Sequence, residues 1–225
     1  WVAMRIRGAI GWSRRALVSG SIAGTILFLA YAFQTAGLTL TTPAKSAFVT
    51  GLFVVLVPFL SFVVFQIRLQ RWELAGALIS VTGLALLTLR PENWLPGMGD
   101  LLTLGGALAF AGHMVMLGKI SSQSGAGVLA LAQIGSVAVW SWAACPVLET
   151  PMVRFTPQLI GAVLMTGVLC TALAFLVQTW AQRRLAPSRA ALAMATEPVF
   201  AAITSYWAYG ERFSGLGYEG GALIL

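Results

Sequence analysis

The sequence predicts an all-α membrane protein arranged as an inverted repeat of two five-helix bundles. Three observations predict it: a shortage of charge, apolar runs of bilayer-spanning length, and an internal repeat that crosses the membrane in the opposite sense. Of 225 residues, 58% are hydrophobic and only 9% charged, whereas a soluble domain carries about a quarter charged residues. The net charge of +7 is spread between apolar runs and not gathered into a patch, which suits topology-setting loops better than nucleic-acid binding.

Taken in order, Trp1 to Arg15 mixes Arg5, Arg7, Arg14 and Arg15 with apolar residues and reads as a helix end and cytoplasmic loop. The first complete span is Ala16–Leu40, carrying the small-residue packing motif Gly20-Ser21-Ile22-Ala23-Gly24. Spans follow at Pro43–Gln66 and Trp72–Leu89, then a loop from Arg90 to Gly99 marked by Pro91, Pro96 and Gly97. Asp100–Gly118, Gly127–Leu148, Leu159–Trp180, Arg189–Gly210 and a short Phe213–Leu225 complete the series. About 20 apolar residues cross a bilayer as helix, and these runs fit.

The Lys and Arg count sets the orientation. With the Arg5–Arg15 end inside, the cytoplasmic side holds Arg5, Arg7, Arg14, Arg15, Arg68, Arg71, Lys119, Arg183, Arg184 and Arg189, and the other side only Lys45, Arg90, Arg154 and Arg212.

A shift of 144 residues lays Ser21–Val81 on Met165–Leu225 without a gap. Gln34-Thr35 meets Gln178-Thr179, Pro43 meets Pro187, Lys45 meets Arg189, Ser61 meets Ser205, Arg68 meets Arg212 and Gly76 meets Gly220. Polar residues, Pro and Gly among the identities exceed what shared apolar bias would produce. The shift spans five helices, an odd number, so the copies run in opposite directions, as in secondary transporters with a site at the repeat interface. The expected organisation is a first repeat over 1–90, a loop over 91–99 and a second repeat over 100–225. By the same register the first copy lacks its first helix and most of its second, and the last helix stops short of the counterpart of Leu89, so a fragment is expected, with ten helices in the full protein and about eight here.

The residues also resemble a known family. Thr42-Pro43-Ala44-Lys45-Ser46 through Gly51-Leu52 and Val57-Pro58 is similar to the fourth helix of EamA-type exporters, ten-helix members of the drug/metabolite transporter superfamily. Ala190-Ala191-Leu192 through Glu197-Pro198-Val199-Phe200, with Gly210-Glu211-Arg212 and Gly220-Gly221, is similar to the ninth and tenth. Gly99-Asp100-Leu101-Leu102 with Phe110-Ala111-Gly112-His113 is similar to the sixth. One departure is Gln66-Ile67-Arg68 in the first copy, where the second has Gly210-Glu211-Arg212. The resemblance implies a multi-pass carrier of the bacterial inner membrane that exports small polar metabolites or drugs.

Glu197 is the first candidate for the pathway of substrate or protons, because an acidic side chain at the centre of a membrane helix costs roughly 2.5–3.5 kcal/mol. The plain alternative is a glutamate that caps backbone groups freed near Pro198. The repeat-related Gln34 and Gln178, with Gln182 one turn beyond the latter, could bind substrate or act as interhelical glue. His113, the only histidine, could relay protons or simply pack. Pro198 and Pro58 are expected to kink their helices. Lys45 and Arg189 open repeat-related helices and could draw anions to the two mouths, or snorkel to headgroups.

Catalytic, cofactor and metal residues are not expected. With one histidine and one aspartate, HExxH and aspartate-rich diphosphate motifs are excluded, Gly112–Ile120 lacks the spacing of a P-loop, and Cys145 and Cys170 show no metal-ligand spacing. The expected partners are a small-molecule substrate and the lipid bilayer, with protons as candidate coupling ion and a second copy of the chain as candidate partner. A receptor or assembly scaffold without transport stays open as the alternative.

Overall fold

The computed structural model describes residues 13–66, 68–88, 95–148, 155–210, 212 and 214–225. Most of the described residues are helical, with no strand among them. In chain order the helices are α1 Arg14–Leu38, α2 Pro43–Gly51, α3 Phe53–Phe65, α4 Arg71–Thr88, α5 Met98–Ser121 and α6 Ala126–Leu148. Then come α7 Pro157–Gln182, α8 Pro187–Met194, α9 Glu197–Tyr209 and α10 Gly215–Ile224. Five stretches are long and apolar enough to cross a membrane: Arg14–Leu38, Pro43–Phe65, Met98–Ser121, Ala126–Leu148 and Pro157–Gln182. They coincide with five of the eight spans expected from hydropathy.

Helix boundaries recur at the repeat shift. The 13 residues of α3, Phe53–Phe65, reappear as the 13 of α9, Glu197–Tyr209. Both helices end on a residue in the left-handed region, Gln66 at φ 55° and Gly210 at φ 69°, the positive-φ residues of the described chain. Gln66 and Gly210 are themselves 144 apart, as are the starts of α4 at Arg71 and α10 at Gly215. A left-handed C-cap suits glycine; glutamine there in the first copy shows that the turn is kept although the residue is not.

The bends expected at the prolines fall elsewhere. Pro58 lies within the continuous helix α3, and the first copy breaks six residues earlier at Leu52. Gly51, just before that break, sits where a side chain would overlap Leu84, and glycine weakens a helix. In the second copy the break is at Ala195-Thr196, and Pro198 lies in the first turn of α9, where its missing N–H costs nothing. Thr196 turns its hydroxyl back onto the Ala193 carbonyl at 2.7 Å. Arg189–Gly210 is therefore two helices and not one kinked span.

The chain divides into two compact units, one of Trp1–Phe28 with Met116–Ala186, the other of Leu29–Val115 with Pro187–Leu225. Each draws segments from both sequence repeats. In the first, the Gly20–Gly24 motif lies against α6: a Cβ on Gly24 would stand 2.7 Å from the Cα of Gln133. Close approach lets polar groups meet. Ser136 donates to the Ser21 carbonyl at 3.0 Å, and Trp140 Nε1 to Thr25 Oγ1 at 3.0 Å. Buried Gln133 donates to Thr179 Oγ1 at 3.0 Å, and Thr179 in turn to the Phe175 carbonyl at 2.6 Å. Gln133→Leu should lower stability by only about 1 kcal/mol, the usual worth of such bonds in membrane helices, read as a small fall in the melting temperature in detergent.

Within α7, Met165–Leu173 is wound as a π-helix, and Thr171 Oγ1 donates five residues back to the Thr166 carbonyl. Residues 157–170 of this helix are all exposed, an apolar surface suited to lipid.

In the second unit the core joins Val54, Val57, Ala77, Ala111, Met114, Val115, Ala190 and Ala191. Small residues on α8 let it approach α3, so the two broken helices pack together. Behind them α4 meets α10 at Gly83 and Gly220: a Cβ on Gly83 would stand 2.5 Å from the Gly220 carbonyl oxygen.

Candidate functional site

The second unit contains Glu197, Gln34 and His113. Glu197 is the first residue of α9, directly after the break, and it is exposed. No ion pair forms to it among the described residues. The Tyr31 ring meets Phe110 of α5 edge-on, centroids 5.3 Å apart at 89°. One turn beyond Tyr31, Gln34 donates from Nε2 to Thr50 Oγ1 at 3.0 Å, and Thr50 belongs to the last turn of α2, next to the first break. One turn beyond Phe110 on α5 lies buried His113. The Tyr31–Phe110 pair is thus followed one turn on by Gln34, bound to Thr50 at the first break, and Glu197 stands at the second break.

Gln178 and Gln182 belong to the first unit. Gln178 is half-buried, and its situation cannot mirror that of Gln34, because the repeat counterpart of Thr50 is Met194. Gln182 is buried, and its backbone carbonyl accepts from Ser121 Oγ at 2.9 Å.

Lys45 and Arg189 are both engaged. Lys45 Nζ lies 2.6 Å from Asp100 Oδ2 and donates to the Leu95 carbonyl at 2.8 Å. Asp100 also accepts from Thr41 Oγ1 at 2.5 Å and from the Gly97 N–H at 2.8 Å. The last bond is a helix-start device, the third residue of α5 reaching back to the residue that precedes the helix. Arg189 Nε lies 3.3 Å from Glu73 Oε1 in the first turn of α4. Each pair joins charges that the order of spans places on the same side of the membrane, whichever end of the chain is inside. Arg5, Arg7, Arg90, Glu92, Glu149, Arg154 and Glu211 lie outside the described residues.

Asp100, Glu73 and Gln133 were not singled out by sequence as interacting groups. The available signals were modest: Asp100 and Glu73 are acids at helix starts, and Gln133 is the one amide in its span.

Residues 97–225 match the EamA-like transporter family. The chain belongs to the EamA-like transporter family. It is also 30% identical over 215 residues to an uncharacterized transporter of Archaeoglobus fulgidus, covering 96% of this chain and 68% of that one. A solved crystal structure matches it with a TM-score of 0.81 at 22% identity, over 99% of this chain and 78% of the other; at that identity the likeness speaks for the fold alone. As an EamA-like chain it is a multi-pass membrane protein and a membrane transporter. Among the described residues, no cluster of His, Cys, Asp or Glu is placed to hold a metal, and Cys145 and Cys170 are free thiols.

Proposed function

We propose that this EamA-like chain is a secondary-active transporter working by alternating access, that it exports small polar metabolites or drugs across the bacterial inner membrane, and that it does so without chemical change to its cargo. The observation that carries the reading is the paired break. Two helices in one compact unit are interrupted at equivalent repeat positions, Leu52 and Thr196. Broken helices at corresponding places in inverted repeats are how secondary transporters build a binding site at mid-membrane. Glu197 sits at one break, and Thr50, bonded to Gln34, at the other. The orientation that goes with this reading has Arg14 and Arg15 on the cytoplasmic side, and protons as coupling ion.

Purified protein in liposomes is expected to give saturable flux of at least one compound from a broad metabolite and drug panel. Flux that rises linearly with concentration for every compound, as in empty liposomes, would count against transport. For coupling, Glu197→Gln is expected to lose or flatten the pH dependence of the rate. A variant with the parent's rate and pH profile removes Glu197 from the mechanism.

A further inference from the structure

The cations of the first unit are gathered at one end. Arg14 and Arg15 open α1, Lys119 lies in the last turn of α5, and Arg183 and Arg184 follow α7. All five are exposed, and the unit holds no Asp or Glu among its described residues. Their neighbours in the chain tie these helix ends together. Ala16, next to Arg15, packs with Val128 and Leu129 at the start of α6 and with Ile120, next to Lys119. Ser121 Oγ donates to the carbonyl of Gln182, next to Arg183, at 2.9 Å. The turn that carries the two arginines is itself fixed, the Arg183 N–H donating to the Trp180 carbonyl and the Arg184 N–H to the Ala181 carbonyl. Helix stabilisation does not account for the whole set, because Arg14 and Arg15 stand at the positive end of α1, whose first turn has no acid.

Beside this charge lies an apolar strip. Leu173, Leu176, Val177 and Trp180 recur at helical spacing along α7 and are 41–54% exposed. Arg184 continues the strip, its guanidinium 5.1 Å from the centre of the Trp180 ring. A tryptophan next to a cation suits the boundary between hydrocarbon and headgroups. The repeat-equivalent strip of α1, with Leu29, Phe33 and Ala36, is exposed as well, but Thr39 and Leu40 stand where the second copy has Arg183 and Arg184. We infer that this end of the first unit is a docking site for one anionic phospholipid, its phosphate held by Arg183 and Arg184 and an acyl chain lying along Leu173, Leu176, Val177 and Trp180. Arginine grips phosphate through parallel N–H bonds, and Arg14, Arg15 and Lys119 add positive potential at the same end, which draws anionic headgroups. A soluble anion would satisfy the arginines and leave the strip bare. A zwitterionic lipid would bring a further cation to an end that already holds five.

The test uses the full chain in detergent and native mass spectrometry, titrating phosphatidylglycerol, phosphatidylcholine with the same acyl chains, and inorganic phosphate. One saturable phosphatidylglycerol adduct is expected, at least about tenfold tighter than the phosphatidylcholine adduct. Arg183→Gln combined with Arg184→Gln should bring the two lipids to within about threefold of each other. Trp180→Leu keeps the strip apolar but removes the ring under Arg184, and should weaken phosphatidylglycerol by about threefold. Arg68→Gln combined with Arg71→Gln takes the same charge from exposed positions of the other unit and should leave the preference as in the parent. An unchanged thermal melt for each variant separates lost binding from lost folding, and the preference of the parent chain needs no variant at all. Phosphatidylcholine binding the parent as tightly as phosphatidylglycerol, inorganic phosphate binding it as tightly as the lipid, or the Arg68–Arg71 variant losing as much preference as the Arg183–Arg184 variant would each overturn the inference.

Discussion

Gly83→Leu and Gly220→Leu are each expected to cost about 3 kcal/mol or more and to lower the yield of folded protein sharply. Each glycine faces the backbone of the other's helix: a Cβ on Gly83 would stand 2.5 Å from the Gly220 carbonyl oxygen and 2.8 Å from Ile224. A side chain can change rotamer to make room, but a helix backbone cannot, so α4 and α10 would have to separate. Overpacking typically costs about 1–3 kcal/mol where side chains can adjust, and a backbone obstacle lies at or beyond the upper end. Separation would also open the adjoining cluster of Leu84, Val199 and Ile224, which ties α9 to the same contact. Gly135→Ala is the control. Nothing lies within 4 Å of a Cβ there, and alanine in place of a helical glycine should be neutral or stabilise by up to about 1 kcal/mol. Thermal unfolding and monodisperse yield in detergent measure both; a Gly83→Leu protein that melts with the parent would show that α4 and α10 do not meet through these glycines.

Removing one partner of the Lys45–Asp100 pair should destabilise by about 1–3 kcal/mol, and Asp100→Leu should cost more than Lys45→Met. The range lies between those for exposed and buried pairs because the two side chains are only 16% and 9% exposed while the neighbouring Leu95, Pro96 and Gly97 are exposed. The pair is covered by its own partners at the edge of the unit. Asp100 is the more costly loss because it also holds Thr41 and the Gly97 N–H, fixing both the turn before α2 and the start of α5. After Lys45→Met the carboxylate keeps those two donors. The double variant is expected to recover part of the loss, since no charge is then left without its partner. A cycle of the parent, two single variants and the double, read by thermal unfolding, measures the coupling. Additive effects would mean that the pair contributes nothing beyond its separate members.

The spans and the repeat were legible because both are local properties of the chain. A run of about 20 apolar residues has one inexpensive fate in a bilayer, so hydropathy placed α1, α5, α6 and α7 to within a few residues. Equivalent boundaries also followed from the shift, since Pro43 and Pro187, at first helical positions, mark the same start in both copies. The breaks were legible only in part. Proline drew attention to Pro58, yet the interruption follows Gly51, where Leu84 of another helix takes the space a side chain would need. Glycine's weakness as a helix former was legible, but the contact with α4 that favours a small residue at that position was not.

The sequence by itself determined that this is an all-α, multi-pass membrane protein of a transporter family, and it singled out one carboxylate flanked on both sides by apolar residues. It did so because lipid permits few backbone solutions and because a charge among apolar residues is conspicuous wherever it folds. Only the tertiary structure decided which charges are already neutralised. Lys45 and Asp100 lie on different helices, and Glu73 and Arg189 are 116 residues apart, and such partners are chosen by packing and not by spacing. Pairing at that range occupies Lys45 and Arg189 and leaves Glu197, at the start of α9, outside any ion pair among the described residues.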